Sequence, residues 1–248
     1  MIELPDPQDD LVGIGFSVDA DEVLDYYRRG WFPMPVGEAE TQLTRTLGRF
    51  GGRGQNSYFL WSPVHRGVLP LDGMRVTRSL RKMVRRYTVT INTAFDRVIA
   101  ECADPRRTGS WIDDSIIDLY GELHRRGDAH SVETWDADGH LVGGLYGVSL
   151  AGLFAGESMF HDPQRGRDAS KVALVGLIEF IRSDPYADRR LFDVQFQTDH
   201  LATLGVVEID RDDYLARLVA SLSVPPLRWP APGEQSDRVP TAAVTRQD

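Results

Sequence analysis

The chain has 248 residues, 42% of them hydrophobic and 26% charged, enough to bury a substantial core in one large domain or in a small domain joined to a larger one. A formal net charge of -9 excludes a protein whose whole surface grips nucleic acid, because phosphate binding is driven by Lys and Arg releasing counterions, and it suits a cationic second substrate. The single cysteine, Cys102, excludes an internal disulfide, and the opening MIELPDPQDDL has no signal-peptide pattern; no apolar run, Val172 to Ile178 included, approaches the roughly 20 residues of a membrane span, so the expected compartment is the cytoplasm.

Residues 1–71 are rich in Gly and Pro and predict a small N-terminal α/β domain. It contains one helix, Ala20 to Arg29, with Asp19 as N-cap, followed by Gly30-Trp31-Phe32-Pro33-Met34-Pro35, which two prolines force into extended geometry. Gly48 to Gln55 reads as a loop and Tyr58 to Trp61 as a short apolar strand. From Met74 the pattern becomes a regular alternation. A basic helix carries Arg78, Arg81, Lys82, Arg85 and Arg86 at helical spacing, either as a solvated face or as a local phosphate-binding face. The strand Tyr87 to Ile91 and a helix from Thr93 to Cys102 follow, then a helix from Asp114 to Arg126 that stops at Gly127. Three strands, Ala129 to Trp135, Leu141 to Leu150 and Leu153 to Phe160, are separated by the hairpin signals Asp138-Gly139 and Ala151-Gly152. The apolar helix Ala169 to Ser183 and the strand Arg190 to Gln197 complete an α+β arrangement over 72–229, a mixed sheet with flanking helices; 230–248 is polar, contains Pro and is expected to be a disordered tail. The order resembles the acetyltransferase (GNAT-like) fold.

Three segments attract chemical interest. In Gly143-Gly144-Leu145-Tyr146-Gly147 the glycines weaken an otherwise central strand, which calls either for a ligand backbone approaching closely or for tight packing against a helix. In Gly156-Glu157-Ser158-Met159-Phe160 an acid interrupts an apolar strand, and period 2 puts Glu157 on the face of Ala155 and Met159. In Asp193-Val194-Gln195-Phe196-Gln197 alternation puts the three polar residues on one face, where Asp193 would orient the Gln195 amide so that its oxygen accepts from an amine. His124, His130, His161 and His200 lack metal-ligand spacing, so no metal is expected, and His130-Ser131 with Glu133 has no nucleophile elbow to support a serine triad. Trp31, Phe32, Trp61 and Trp111 are either core or a platform for a terminal base.

Taken in order, Gly30-Trp31-Phe32-Pro33, Trp61-Ser62-Pro63, Arg66-Gly67-Val68-Leu69-Pro70, Thr93-Ala94-Phe95, Trp111-Ile112, Ala129-His130-Ser131-Val132-Glu133, Val142-Gly143-Gly144-Leu145-Tyr146-Gly147, Gly156-Glu157-Ser158-Met159-Phe160, Ala169-Ser170-Lys171 and Asp193 with Gln195 resemble the pattern of leucyl/phenylalanyl-tRNA-protein transferases from about residue 13 to about residue 220. The resemblance implies a GNAT-like transferase domain that uses no acetyl-CoA and no other cofactor. It implies Leu-tRNA or Phe-tRNA as donor, and as acceptor the N-terminal α-amine of a protein beginning with Arg or Lys, which is thereby marked for degradation. Carried over by position, Gln195 contacts the attacking amine, Asp193 holds Gln195, and Glu157 organises the donor aminoacyl group. Either Gln195 accepts a proton relayed through Asp193, or it only aligns the amine while the departing ribose oxygen takes the proton. Trp111, Leu145, Phe154, Leu174, Leu177 and Ile181, with Tyr120 and Ser158, would form the donor side-chain pocket, and Arg78, Arg81, Lys82, Arg85, Arg86 and Met34 would contact tRNA. Met34 stands where many such proteins carry an aromatic residue, and the His161 to Asp168 loop is longer and more basic than usual. A monomer is expected. The alternative is an acetyl-CoA-dependent N-acetyltransferase, because Gln164 to Ala169 precedes a helix as a pyrophosphate-binding turn would.

Overall fold

The computed structural model describes residues 2–3, 9–15, 19–35, 58–107 and 112–231. Trp111, the Gly48 to Gln55 loop and the tail beyond residue 231 lie outside the described residues.

The N-terminal part is a four-stranded antiparallel sheet in the order β1-β2-β4-β3, built from β1 (Ile2–Glu3), β2 (Leu11–Gly15), β3 (Phe32–Pro35) and β4 (Tyr58–Trp61). Helix α1 (Ala20–Arg28) starts where a capping box is written into the sequence: Asp19 accepts from the Glu22 N–H, and the Glu22 carboxylate reaches back to the Asp19 N–H. It ends before Gly30, whose φ of +76° suits a residue without a Cβ.

The larger sheet has seven strands in the order β11-β5-β10-β9-β8-β7-β6: β5 (His65–Val68), β6 (Thr88–Ile91), β7 (Ala129–Trp135), β8 (Leu141–Leu150), β9 (Leu153–His161), β10 (Leu191–Gln195) and β11 (Val207–Asp210). Only β9 and β10 run parallel, which makes the sheet mixed, and α5 (Ala169–Arg182) is the crossover between them. The sequence boundary drawn at residue 71 falls after β5, yet β5 is hydrogen-bonded between β10 and β11 and so is an internal strand of the larger sheet. β11 and α6 (Asp199–Thr203) escaped the sequence reading because they are too short to show a period, and α7 (Arg211–Leu222) was missed although Tyr214, Leu215, Leu218, Val219 and Leu222 recur at helical spacing.

Period 2 sorts the strand side chains between two cores. On one face, Val89, Val132, Leu145 and Phe154 pack with α2 (Arg78–Val84) and α5. On the other, Ala129, Tyr146, Val148 and Ala155 pack with α3 (Phe95–Cys102), α4 (Asp114–Arg126) and α7, and this same cluster takes in Val23, Leu24, Tyr27 and Phe32 of the N-terminal part. The two sheets therefore share an apolar core, and α1 is carried against the large sheet. α4 runs as the sequence predicts, capped by Asp113 and closed by Gly127 at φ +83°. The glycines of β8 serve packing. A Cβ on Gly143 would lie 2.6 Å from the Ala169 Cβ and 2.9 Å from the Ser170 nitrogen, so the glycine admits the start of α5.

Candidate active site

The parallel pair β9 and β10 is in register only as far as Ala155 opposite Asp193, beyond which the strands part. Two irregularities sit at that point. On β9 the pairing with β8 jumps from Gly147–Gly156 to Tyr146–Ser158, leaving Glu157 as the extra residue of a bulge. On β10 the pairing with β5 slips between Asp193 and Gln195, and Gln195 has φ +60°, a left-handed backbone in a residue that is not glycine. Both break the simple alternation expected from the sequence. Ala155 packs in one core and Met159 against the other, so they do not share a face with Glu157. Likewise Asp193, Gln195 and Gln197 do not form one polar face: Val194 and Gln195 both line a pocket, and Gln197 leaves the strand to donate to the Val206 carbonyl.

At the base of the site lies a buried ion pair. Arg66 reaches from β5 with Nε and Nη2 onto the two oxygens of Asp193, at 2.8 and 2.6 Å, and both side chains are within 1% of complete burial. The Tyr214 hydroxyl donates to Asp193 Oδ2 at 2.8 Å, and the Gln195 N–H donates to Oδ1 at 2.9 Å. All the acceptor directions of Asp193 are thus filled. The Arg66 guanidinium also donates to the Gly30 carbonyl and lies over the rings of Phe32 and Tyr214. Burial, the largest single influence, would lower the Arg66 pKa, but the Asp193 charge and hydrogen bonds together with the nearby Tyr214 and Tyr27 outweigh it and raise the value.

Above this pair, the Gln195 Nε2 donates to Glu157 Oε1 at 2.9 Å. Glu157 also accepts from the Tyr27 hydroxyl at 2.6 Å and from Tyr120 at 3.2 Å, and the two tyrosine oxygens are 2.9 Å apart. Burial pushes the Glu157 carboxyl up to about 7, although the two tyrosine hydrogen bonds pull it down and Arg66 opposes Asp193. Burial likewise raises Tyr27 and Tyr120 well above the ordinary tyrosine range, so both remain protonated donors. The Gln195 side-chain amide is therefore held by Glu157, whereas Asp193 holds the Gln195 backbone. With Nε2 committed, Oε1 has no donor among the described residues and is free to accept one.

Beside this cluster opens a pocket of about 230 Å³, floored by Leu69, Leu145, Leu174, Phe192, Leu201 and Val206 and edged by Glu157, Ser158, Gln195, Thr198 and His200. Of the residues expected in it, Leu145, Leu174 and Ser158 line it, and Tyr120 stands behind Glu157. Phe154, Leu177 and Ile181 do not: they are buried beneath it, with Phe154 against Phe192 and Trp229. Bulk on an apolar helix marks core as readily as pocket, which is why sequence overextended the wall. Of the basic residues, Arg78, Lys82, Arg85 and Arg86 are exposed and Arg81 is half-buried, while Met34 is half-buried against the shared core. The residues that sequence missed are chiefly Tyr27, which holds Glu157, and Arg66, which holds Asp193.

Other chemistries lack their parts. Burial pushes the Cys102 thiol up to about 11, so it is no thiolate nucleophile at neutral pH. Ser131 bonds Glu133, which also accepts from Thr90 and Thr93 beside the start of α3, while the His130 ring stacks on Trp229 and meets Asn92; no triad forms. At the start of α5, Asp168 is held by Lys171 at 2.8 Å, and Gly166 is packed so tightly that a Cβ there would lie 2.0 Å from the Val142 carbonyl.

An amide and a carboxylate, the latter backed by two tyrosines, thus border a small apolar pocket in a mixed α+β sheet. The family model for leucyl/phenylalanyl-tRNA protein transferase matches residues 68–219. Curated proteins named leucyl/phenylalanyl-tRNA–protein transferase are similar over most of the chain. That of Maricaulis maris is 46% identical over 207 residues, covering 82% of this chain and 86% of its own. That of Caulobacter vibrioides is 46% identical over 214 residues, covering 85% and 88%. That of Chlorobaculum tepidum is 39% identical over 210 residues, covering 83% and 96%. The chain belongs to the leucyl/phenylalanyl-tRNA–protein transferase family and is an aminoacyltransferase. Among solved structures, that of L-PGS from Bacillus licheniformis aligns over 76% of this chain and 57% of its own at a TM-score of 0.38 and 10% identity, a likeness too remote to bear on the fold.

Two outcomes follow. Arg66→Met leaves Asp193 buried without its partner and is expected to cost about 3–5 kcal/mol in urea unfolding, and Arg66→Met with Asp193→Leu recovers much of that loss; equal losses in the two would show that the pair itself does not matter. Because folding raises the Glu157 pKa, its ionisation is disfavoured in the folded state, and the stability it contributes below the ordinary glutamate range is lost as pH rises through about 7. The melting temperature of Glu157→Gln minus that of the native chain should therefore become more positive between pH 5 and pH 8.

Proposed function

We propose that the chain transfers Leu or Phe from aminoacyl-tRNA to the N-terminal α-amine of proteins beginning with Arg or Lys, marking them for degradation. It does so in the cytoplasm, as a monomer and without a cofactor. The observation that carries the reading is the Gln195 amide, oriented by Glu157 so that a free oxygen faces the pocket edge. The ester is already activated, so attack by a neutral amine on its carbonyl carbon needs position more than a nucleophile from the protein. The new C–N bond forms, the bond to the ribose oxygen breaks, and the amine gives up one proton.

Asp193 is poorly placed to relay that proton, since Arg66, Tyr214 and the Gln195 N–H already fill its acceptor directions. This favours alignment by Gln195 over a relay, with the departing ribose oxygen as the proton's destination. Glu157, close to neutrality in its proton affinity, faces the donor aminoacyl group, whose side chain enters the apolar pocket. A volume of about 230 Å³, below the ~300–1,000 Å³ of sites for drug-sized ligands, suits one side chain. The pocket separates Leu or Phe from smaller apolar residues by only about 1–3 kcal/mol per methylene. The parting of β9 and β10 supports an acetyltransferase-like sheet in which the acyl donor enters the gap. The exposed face of α2, with Arg78, Lys82, Arg85 and Arg86, is the reading's tRNA contact, with half-buried Arg81 and Met34 as further members.

Incubated with radiolabelled Leu-tRNA, the native chain is expected to label a peptide beginning with Arg and not one beginning with Glu. Gln195→Ala should slow labelling roughly 100-fold or more at saturating donor, the scale of a lost aligning contact. Equal labelling of both peptides would contradict the acceptor assignment, and an undiminished Gln195→Ala rate would remove Gln195 from the mechanism.

A further inference from the structure

The segment between β9 and α5, His161 to Asp168, carries two arginines that the site does not use. Its backbone is folded on itself. The Asp162 N–H donates to the Val142 carbonyl, its carboxylate accepts from the N–H groups of Gln164 and Arg165 at 2.7 and 3.0 Å, and the Gly166 N–H donates to the Asp162 carbonyl. Gly166 is wedged against Val142, where no side chain fits. From the strand β6 side, the Tyr87 hydroxyl lies 3.1 Å from the Arg165 carbonyl and 3.2 Å from that of Arg167, tying the segment to the residue that follows Arg85 and Arg86 at the end of α2.

The consequence is electrostatic. Arg165, Arg167, Arg85 and Arg86 are all exposed. Among the described residues Arg85, Arg86 and Arg165 form no salt bridge, and Arg167 pairs at 3.8 Å with Asp168, which is itself engaged by Lys171 at 2.8 Å. The other nearby acid, Asp162, is spent on backbone N–H groups. On a chain of net charge -9, four exposed arginines on two tethered elements are a concentrated exception. His200, on the pocket edge, is near enough to His161 and Asp168 at the two ends of this segment to feel their charges.

We propose that Arg165 and Arg167, held beside Arg85 and Arg86 by Tyr87, form a rigid basic ledge that binds the sugar-phosphate backbone of the donor RNA as it leaves the pocket. The inference rests on the reading of an RNA-borne donor. A polyanion whose acylated end lies in the pocket passes over this ledge, and arginines on a tethered backbone meet phosphates at a smaller entropic cost than arginines on a free loop would.

The test uses the full chain with Arg165→Ala and Arg167→Ala together, whose melting temperature should be unchanged. Filter binding of deacylated tRNA is expected to weaken roughly 10-fold, with the slope of log K against log salt falling by about 1–2, as for the loss of one or two phosphate contacts. Arg165→Lys with Arg167→Lys should keep most of the affinity, and Tyr87→Phe should lose part of it. Unchanged tRNA affinity and salt slope would overturn the proposal, as would a variant whose binding defect appears only for an acidic acceptor protein. Should the native chain transfer no leucine while the alanine variant still loses tRNA affinity, the ledge stands and the functional reading fails.

Discussion

The paired charges of Arg66 and Asp193 organise more of this molecule than any other contact. Arg66 is on a strand that sequence order would leave with the N-terminal part, Asp193 on the strand that parts from β9, and their helpers come from the turn after α1 and from α7. Two bare charges at this depth would be strongly unfavourable, so the geometry must be close to complete: both carboxylate oxygens are met by the guanidinium fork, and the remaining directions by Tyr214 and a backbone N–H. The same completeness draws β5 into the sheet between β10 and β11. It also fixes Asp193 as an acceptor with nothing left to accept.

With Asp193 closed, the proposed chemistry falls to Glu157 and Gln195. Their position follows from two faults in an otherwise regular sheet, a bulge on β9 and a left-handed residue on β10, at the point where the parallel pair separates. A bulge turns one side chain out of the pleat, and a strained φ persists only where its surroundings over-determine it. Here the surroundings are Asp193, which takes the Gln195 N–H, and Glu157, which takes its amide. Tyr27, delivered by a capped helix from the other sheet, completes the carboxylate's shell, so the N-terminal part is a structural member of the site.

How much of this was legible depended on whether the signal was local. Asp19 with Glu22, Asp113 with Gly127, and the turns at Gly139 and Ala151 are local devices, and the elements they bound lie where the sequence places them. Glu157, Asp193 and Gln195 stood out as polar residues in apolar strands, but alternation gave them the wrong mutual orientation because a bulge and a positive φ leave no mark in residue type. Arg66 and Tyr27 act across more than a hundred residues of sequence, and nothing near them announces a partner. Phe154, Leu177 and Ile181 look like pocket lining for the same reason they make good core: they are apolar on the correct face, and only packing decides which side chains reach the opening.

The division of roles between Glu157 and Asp193 depends on which group in the cluster changes its charge near neutrality. Carbon-13 NMR of the side-chain carboxyls, followed from pH 5 to pH 9 in the native chain and in Glu157→Gln, measures it directly. One carboxyl titrating near pH 7, absent from the variant, is the predicted result. A neutral titration that survives in Glu157→Gln would place the titrating charge on another group and contradict the division of roles between Glu157 and Asp193.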